Sequence, residues 1–246
     1  MDFQLILYFI AICGFAALVH GSVGFGFPML ATPLLALLTD VQTAIMLTIV
    51  PNIFINLVSI KSEGEISKAI KKHYKLVAYT AFGSLFGTAA LIQFETPVFK
   101  VILALAIMIY LITDTFKVRL HSIRKYPEIS KVIFGLISGF IGGLTNVMAP
   151  TLIMYSLESG QSKRDIIQST NLCFLFGKIV QLVLFAVSLK FTTYTIYSST
   201  LVLAIVIVFV PLGIKLKTVI SEHHYKTILK TLLSFITIAL ISQTFT

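Results

Sequence analysis

Charge is missing from this chain in blocks long enough to cross a lipid bilayer. Residues 76–92, 132–148, 194–211 and 231–246 contain no Asp, Glu, Lys or Arg. A helix rises ~1.5 Å per residue, so each block approaches the roughly 20 residues that a ~30 Å hydrocarbon core requires. A soluble domain of 246 residues can bury one or two such segments, not a succession of them. The composition agrees: 57% of residues are hydrophobic and 12% charged, about half the charge of a soluble domain. The expected fold class is an all-α polytopic membrane protein.

The formal charge of +9 does not point to nucleic acid, because the basic residues lie in short loops with no aromatic interleaving. Their placement reads as topology. Lys61, Lys68, Lys71, Lys72 and Lys75 share one connection, and Lys117, Arg119, Arg124, Lys125 and Lys131 share another. Lys163, Arg164, Lys215, Lys217, Lys226 and Lys230 complete a set assigned to the cytoplasmic face, leaving only Lys100 and Lys190 opposite and Lys178 within a span. The start, MDFQ, lacks the basic region of a cleavable signal, so the first apolar stretch is expected to be retained. The expected location is the cell inner membrane.

Apolar segments fall near 3–20, 23–38, 42–60, 76–92, 96–116, 132–146, 147–157, 165–188, 194–211 and 227–245. With the basic loops on one face, the pair before residue 40 must leave and return on the outer side, and the pair at 132–157 on the inner side. Each pair is a hairpin, re-entrant or fully crossing, followed by three crossings. The chain therefore divides into a first repeat (1–116), a cytoplasmic linker (117–131) and a second, inverted repeat (132–246). Sequence matches run in parallel: Gly14 and Gly21 with Gly135 and Gly142, Pro33 with Pro150, Gln42 and Asn52 with Gln161 and Asn171. Inverted repeats with broken helices are a common construction of secondary transporters.

The first hairpin is interrupted by His20-Gly21-Ser22-Val23-Gly24-Phe25-Gly26-Phe27-Pro28, the second by Gly139, Gly142-Gly143, Thr145-Asn146 and Ala149-Pro150. Glycine reaches backbone angles closed to other residues, and proline lacks the donor a helix interior needs. Ser22 and Asn146 are placed to cap the helices that restart after each break. Helix N-termini meeting from opposite faces would favour an anion at a shared midplane site. The plainer reading, close helix packing, suits Gly83 with Gly87 and Gly135 with Gly139. It leaves the prolines unexplained.

The run HGSVGFGFPMLATPLLALL and its second-half counterpart GFIGGLTNVMAPTLIMYSLESGQSKRDIIQSTNLCFL resemble the TauE/SafE-type sulfite exporter family, the TSUP transporters. The resemblance covers essentially the whole chain. It implies a membrane carrier of sulfur-containing anions such as sulfite, thiosulfate or organosulfonates.

Intramembrane polar residues form two stripes. Gln168, Asn171, Lys178 and Gln181 share one helix face, and Thr48, Asn52, Asn56 and Ser59 another. An ionised lysine at the centre of a span costs roughly 2.5–3.5 kcal/mol, so Lys178 asks for a partner. Asp114, Asp165 and a lipid headgroup are the structural alternatives to a substrate. The residues assigned to cargo are Ser22, Gly24, Gly26, Asn52, Gly143, Thr145, Asn146, Asn171 and Lys178. For the asparagines the alternative is interhelical bonding. His20 is a candidate for proton coupling, although a satisfied structural histidine is the plainer assignment. His223 and His224 are adjacent in a connection and do not form a metal site, and no cofactor motif is present.

The expected function is secondary transport of a small anion by alternating access. The interior-negative potential favours export, by about 2.3 kcal/mol per charge per 100 mV. The rivals are an anion channel and a membrane enzyme or sulfur relay using Cys13 or Cys173. An ATP-driven pump would need a Walker loop, which the sequence lacks.

Overall fold

The computed structural model describes residues 3–94, 96–115, 122–216 and 222–245, and every regular element among them is a helix. In chain order these are α1 (Phe3–Val23), α2 (Phe27–Leu38), α3 (Val41–Ser62), α4 (Ile66–Gln93), α5 (Thr96–Thr115) and α6 (Ser122–Lys125). They continue as α7 (Pro127–Thr145), α8 (Ala149–Glu158), α9 (Lys163–Val187), α10 (Thr193–Leu216) and α11 (Glu222–Phe245). Six of them, α1, α3, α4, α7, α9 and α10, are long and apolar enough to cross a membrane. Lys117, Arg119 and Lys217 lie outside the described residues, as do the side chains of Asp114, His223, His224 and Lys226.

The burial pattern is that of a protein in lipid. Large apolar side chains such as Phe82, Phe86, Ile109, Phe235 and Ile238 face outward. Asn52, Asn56, Asn146, Asn171 and Lys178 are fully buried. Lipid accepts an apolar exterior, while intramembrane polar groups turn toward one another. This is a multi-pass membrane protein.

Each hairpin joins a long arm to a short one. The 21 residues of α1 rise about 31 Å, enough for a crossing, whereas the 12 of α2 rise about 18 Å. The 19 residues of α7 and the 10 of α8 repeat this asymmetry. The basic connection at 61–75 is not a loop: α4 already begins at Ile66, carrying Lys68, Lys71, Lys72 and Lys75 on helix beyond the apolar run. Likewise His223 and His224 fall on α11 and not in a loop.

Packing follows an exchange of the two halves. α1 packs on α10 as α7 packs on α4; α3 meets α10 as α9 meets α4; α3 meets α9, and α5 meets α11. Glycines allow the closest approaches. A Cβ on Gly21 would lie 2.9 Å from the Gly213 Cα, and one on Gly143 would lie 3.0 Å from the Gly87 Cα. Gly83, Gly87 and Gly139 also press against facing backbone in the α4–α7 seam.

The breaks themselves align differently from the sequence matches. Pro28 and Pro150 both sit at the second position of a restarting helix, so Pro28, not Pro33, is the mate of Pro150. Pro33 lies inside α2. With the prolines superposed, Gly21 pairs with Gly143 and Gly24 with Asn146. Gly24 and Asn146 both have left-handed backbone, with φ of 96° and 64°.

Candidate functional site

Neither break is capped as the sequence implied. Ser22 ends within α1 and its Oγ donates to the Val19 carbonyl at 2.8 Å. Gly26, with φ of 115°, is the N-cap of α2 and supplies no side chain. Asn146 closes α7 as its C-cap, and Met148 precedes α8. A serine in the last turn satisfies itself on the carbonyl three residues back, which leaves the cap to other elements.

At the first break that role falls to His20. Its Nδ1 accepts from the Phe27 N–H at 3.2 Å, in the first turn of α2. Its Nε2 lies 2.9 Å from Ser59 Oγ on α3. A ring nitrogen that accepts a backbone N–H carries no proton, so the hydrogen resides on Nε2 and the ring is neutral in this arrangement. From α9, Asn171 Nδ2 donates to the Gly24 carbonyl at 2.7 Å and to the Ile167 carbonyl at 2.8 Å. A Cβ on Gly24 would meet Ile167 at 3.0 Å.

The second break is held by the same two helices. Asn146 Nδ2 donates to Thr32 Oγ1 on α2 at 2.9 Å and to Thr48 Oγ1 on α3 at 3.1 Å. Lys178 of α9 donates to Asn146 Oδ1 and to Gln181 Oε1. Gln181 Nε2 in turn donates to the Gly143 carbonyl at 3.0 Å, and the Val147 N–H donates to Thr145 Oγ1 at 3.2 Å.

These bonds fix the geometry of the centre. On α3, Thr48 serves the second break and Ser59 the first, eleven residues and about 16 Å apart. On α9 the order reverses, with Asn171 at the first break and Lys178 at the second. The two helices therefore run antiparallel. Along α2 the breaks are closer, since Asn146 bonds Thr32 only five residues, about 7.5 Å, beyond Phe27. Between the breaks runs a buried polar seam formed by α3 and α9.

Asn52 and Asn56 occupy that seam, on the α3 stripe between Thr48 and Ser59. Neither amide has a partner for its nitrogen or its oxygen, although both residues are fully buried. Leaving such a group unsatisfied costs about 1–3 kcal/mol. The two asparagines matched in the sequence thus differ: Asn171 Nδ2 anchors the first hairpin, while Asn52 holds nothing. Asn56 is likewise unpartnered, as are Thr170 Oγ1 and Asn171 Oδ1 on the facing α9.

Lys178 is fully buried, and its partners among the described residues are amide oxygens. Asp165 is not its counter-ion, since that carboxylate pairs with Lys72 at 2.7 Å. Among the sequence-selected residues, Gly143 lies in the α4–α7 seam, and Gly24, Gly26, Thr145 and Asn146 shape the breaks. Cys13 on α1 and Cys173 on α9 are both buried, Cys173 facing Thr80 Oγ1 at 3.5 Å. Among the described residues no group of three or more His, Cys, Asp or Glu is placed to hold a metal ion.

A multi-pass helical membrane protein with broken hairpins and a buried polar seam that includes a lysine is the class these features define. The chain belongs to the Sulfite exporter TauE/SafE family, whose model matches residues 9–240. That membership makes it a transporter of the sulfite-exporter type and confirms the resemblance seen in the two glycine-proline runs. No match was found among curated proteins or solved structures.

Proposed function

We propose that this protein is a secondary carrier that exports a small sulfur oxyanion or organosulfonate across the cell inner membrane. The observation that carries this reading is Lys178, a lysine fully buried among amides with no carboxylate within ion-pair distance among the described residues. A buried charge without a counter-ion costs several kcal/mol, which an anionic substrate would offset on arrival. Asn52 and Asn56 supply the donors that such an oxyanion needs, and Asn171 and Asn146 hold the two breaks around it. Ser22, Gly24, Gly26, Gly143 and Thr145 then shape the hairpins and do not bind cargo directly.

In this reading residues 1–116 and 132–246 are inverted halves joined by the linker 117–131, with the lysine-rich ends in the cytoplasm. Rocking of one half against the other exposes the seam alternately. His20 acts as the cap of α2 and not as a proton carrier, since protonating Nδ1 would displace the Phe27 N–H.

The test is efflux of labelled sulfite from proteoliposomes. Unlabelled sulfite on the opposite side should accelerate it by counterflow, and Lys178→Met should abolish it while Lys178→Arg retains part. Counterflow-independent, non-saturable flux would select a channel. Wild-type rates in Lys178→Met would remove the central premise.

A further inference from the structure

A second anion-recognition feature lies at the lysine-rich end of the molecule. A cleft of about 340 Å³ opens between the α3–α4 turn, α4 and the start of α9, lined by Glu65, Lys68, Lys72, Arg164, Asp165 and Gln168. Four of its charges cancel in pairs: Lys68 bonds Glu65 at 3.0 Å and Lys72 bonds Asp165 at 2.7 Å. Arg164 remains. Its guanidinium makes no hydrogen bond or ion pair among the described residues, so the cleft carries one uncompensated positive charge.

Two further observations point to a ligand. Gln168 is 5% exposed, lines the cleft, and has no hydrogen-bond partner among the described residues. Its amide is reached from the cleft, so an oxyanion there can take the bonds that solvent otherwise fills. Gly64, with φ of 139°, turns the chain so that the Arg164 guanidinium rests where a side chain on that residue would stand. The guanidinium fork suits an oxyanion, which it can bind through two parallel N–H groups. The cleft is also continuous in register with the seam, because Gln168 lies one helical turn before Asn171 on α9.

We propose that Arg164 and Gln168 form a capture site for the oxyanion at the cytoplasmic mouth, from which cargo passes along α9 to the central seam. The proposal rests on the carrier reading above for its cargo and direction. Free sulfite binds first to the Arg164 fork, with the Gln168 Nε2 group supplying the next donor inward. The Lys72–Asp165 pair, which joins the two halves beside the cleft, keeps Asp165 from occupying the arginine.

The experiment uses the full chain, reconstituted with its basic end facing the lumen, and reads the initial rate of efflux against lumenal sulfite. Arg164→Gln should raise KM about tenfold, equivalent to about 1.4 kcal/mol, with Vmax within twofold of wild type. Arg164→Lys should recover part of the loss, and raising the salt should shrink the difference. Gly64→Ala, which displaces the guanidinium without removing charge, should also raise KM. Titration calorimetry of sulfite into the purified protein separates the two readings. Transport with an unchanged KM in Arg164→Gln, or with loss confined to Vmax, overturns the capture site and leaves the carrier standing. Sulfite binding that Arg164→Gln abolishes, in a wild type that does not transport, leaves the capture site and removes the carrier. Neither transport nor binding removes both.

Discussion

Asn171 reaches from α9 to donate a 2.7 Å hydrogen bond to the carbonyl of Gly24, the residue at which the first hairpin bends. One side chain of the second half thereby fixes the backbone of the first. Asn52, its match in the sequence, makes no such bond. Similar sequence thus stands in two states, one bonded and one unpaired.

That difference predicts opposite outcomes for the same substitution. Asn171→Leu leaves the Gly24 carbonyl unpaired in an apolar surrounding and should destabilise the protein by about 1–3 kcal/mol. Asn52→Leu removes a group that has no partner, so thermal stability should hold or rise while sulfite efflux falls at least tenfold. Thermal unfolding in detergent alongside the efflux assay checks both. Equal stability losses would mean that Asn52 has a structural partner after all.

Lys178→Met should make the ligand-free protein more stable, because an apolar chain of similar length replaces a buried cation that lacks a counter-ion. Transport should fall by two orders of magnitude or more. A lowered melting temperature would show that the Asn146 and Gln181 bonds already satisfy the lysine.

Gly21→Ala and Gly143→Ala should each destabilise by about 1–3 kcal/mol, since a methyl group at either site overlaps the facing backbone of α10 or α4. Gly160→Ala meets no atom within 4 Å but sits at φ of 72°, so its cost should be nearer 1 kcal/mol. Yield and melting temperature of the three variants decide the order. A Gly21→Ala protein as stable as wild type would show that the α1–α10 seam can open without penalty.

Cys13→Ser combined with Cys173→Ser should transport sulfite at near wild-type rates, because both thiols are packed within the helices. Loss of transport in a variant that still folds would restore the sulfur-relay reading.

Much of the helical framework was legible because the bilayer imposes a length rule on apolar runs. Gaps between the uncharged blocks located the long helices, and the glycine-proline clusters located both breaks. The polar stripes on α3 and α9 were also legible, since a period of 3.6 residues places Thr48, Asn52, Asn56 and Ser59 on one face. Capping was not. Ser22 had the residue type and position of an N-cap, yet a carbonyl one turn back was nearer, and His20 took the role through a contact that depends on where α2 folds back.

By itself the amino-acid order determined that the chain is helical and spans a membrane, with two bent hairpins and two polar helix faces. Those are consequences of local hydrophobicity, backbone freedom and helical period. Only the tertiary structure decided that Asn146 of the second break is tied to Thr32 on α2 and Thr48 on α3. It also decided which asparagine is bonded, and that Lys178 has no carboxylate partner among the described residues while Asp165 is held by Lys72. Such choices depend on distances between residues more than a hundred positions apart, as from Asn171 to Gly24. Sequence spacing carries no measure of them.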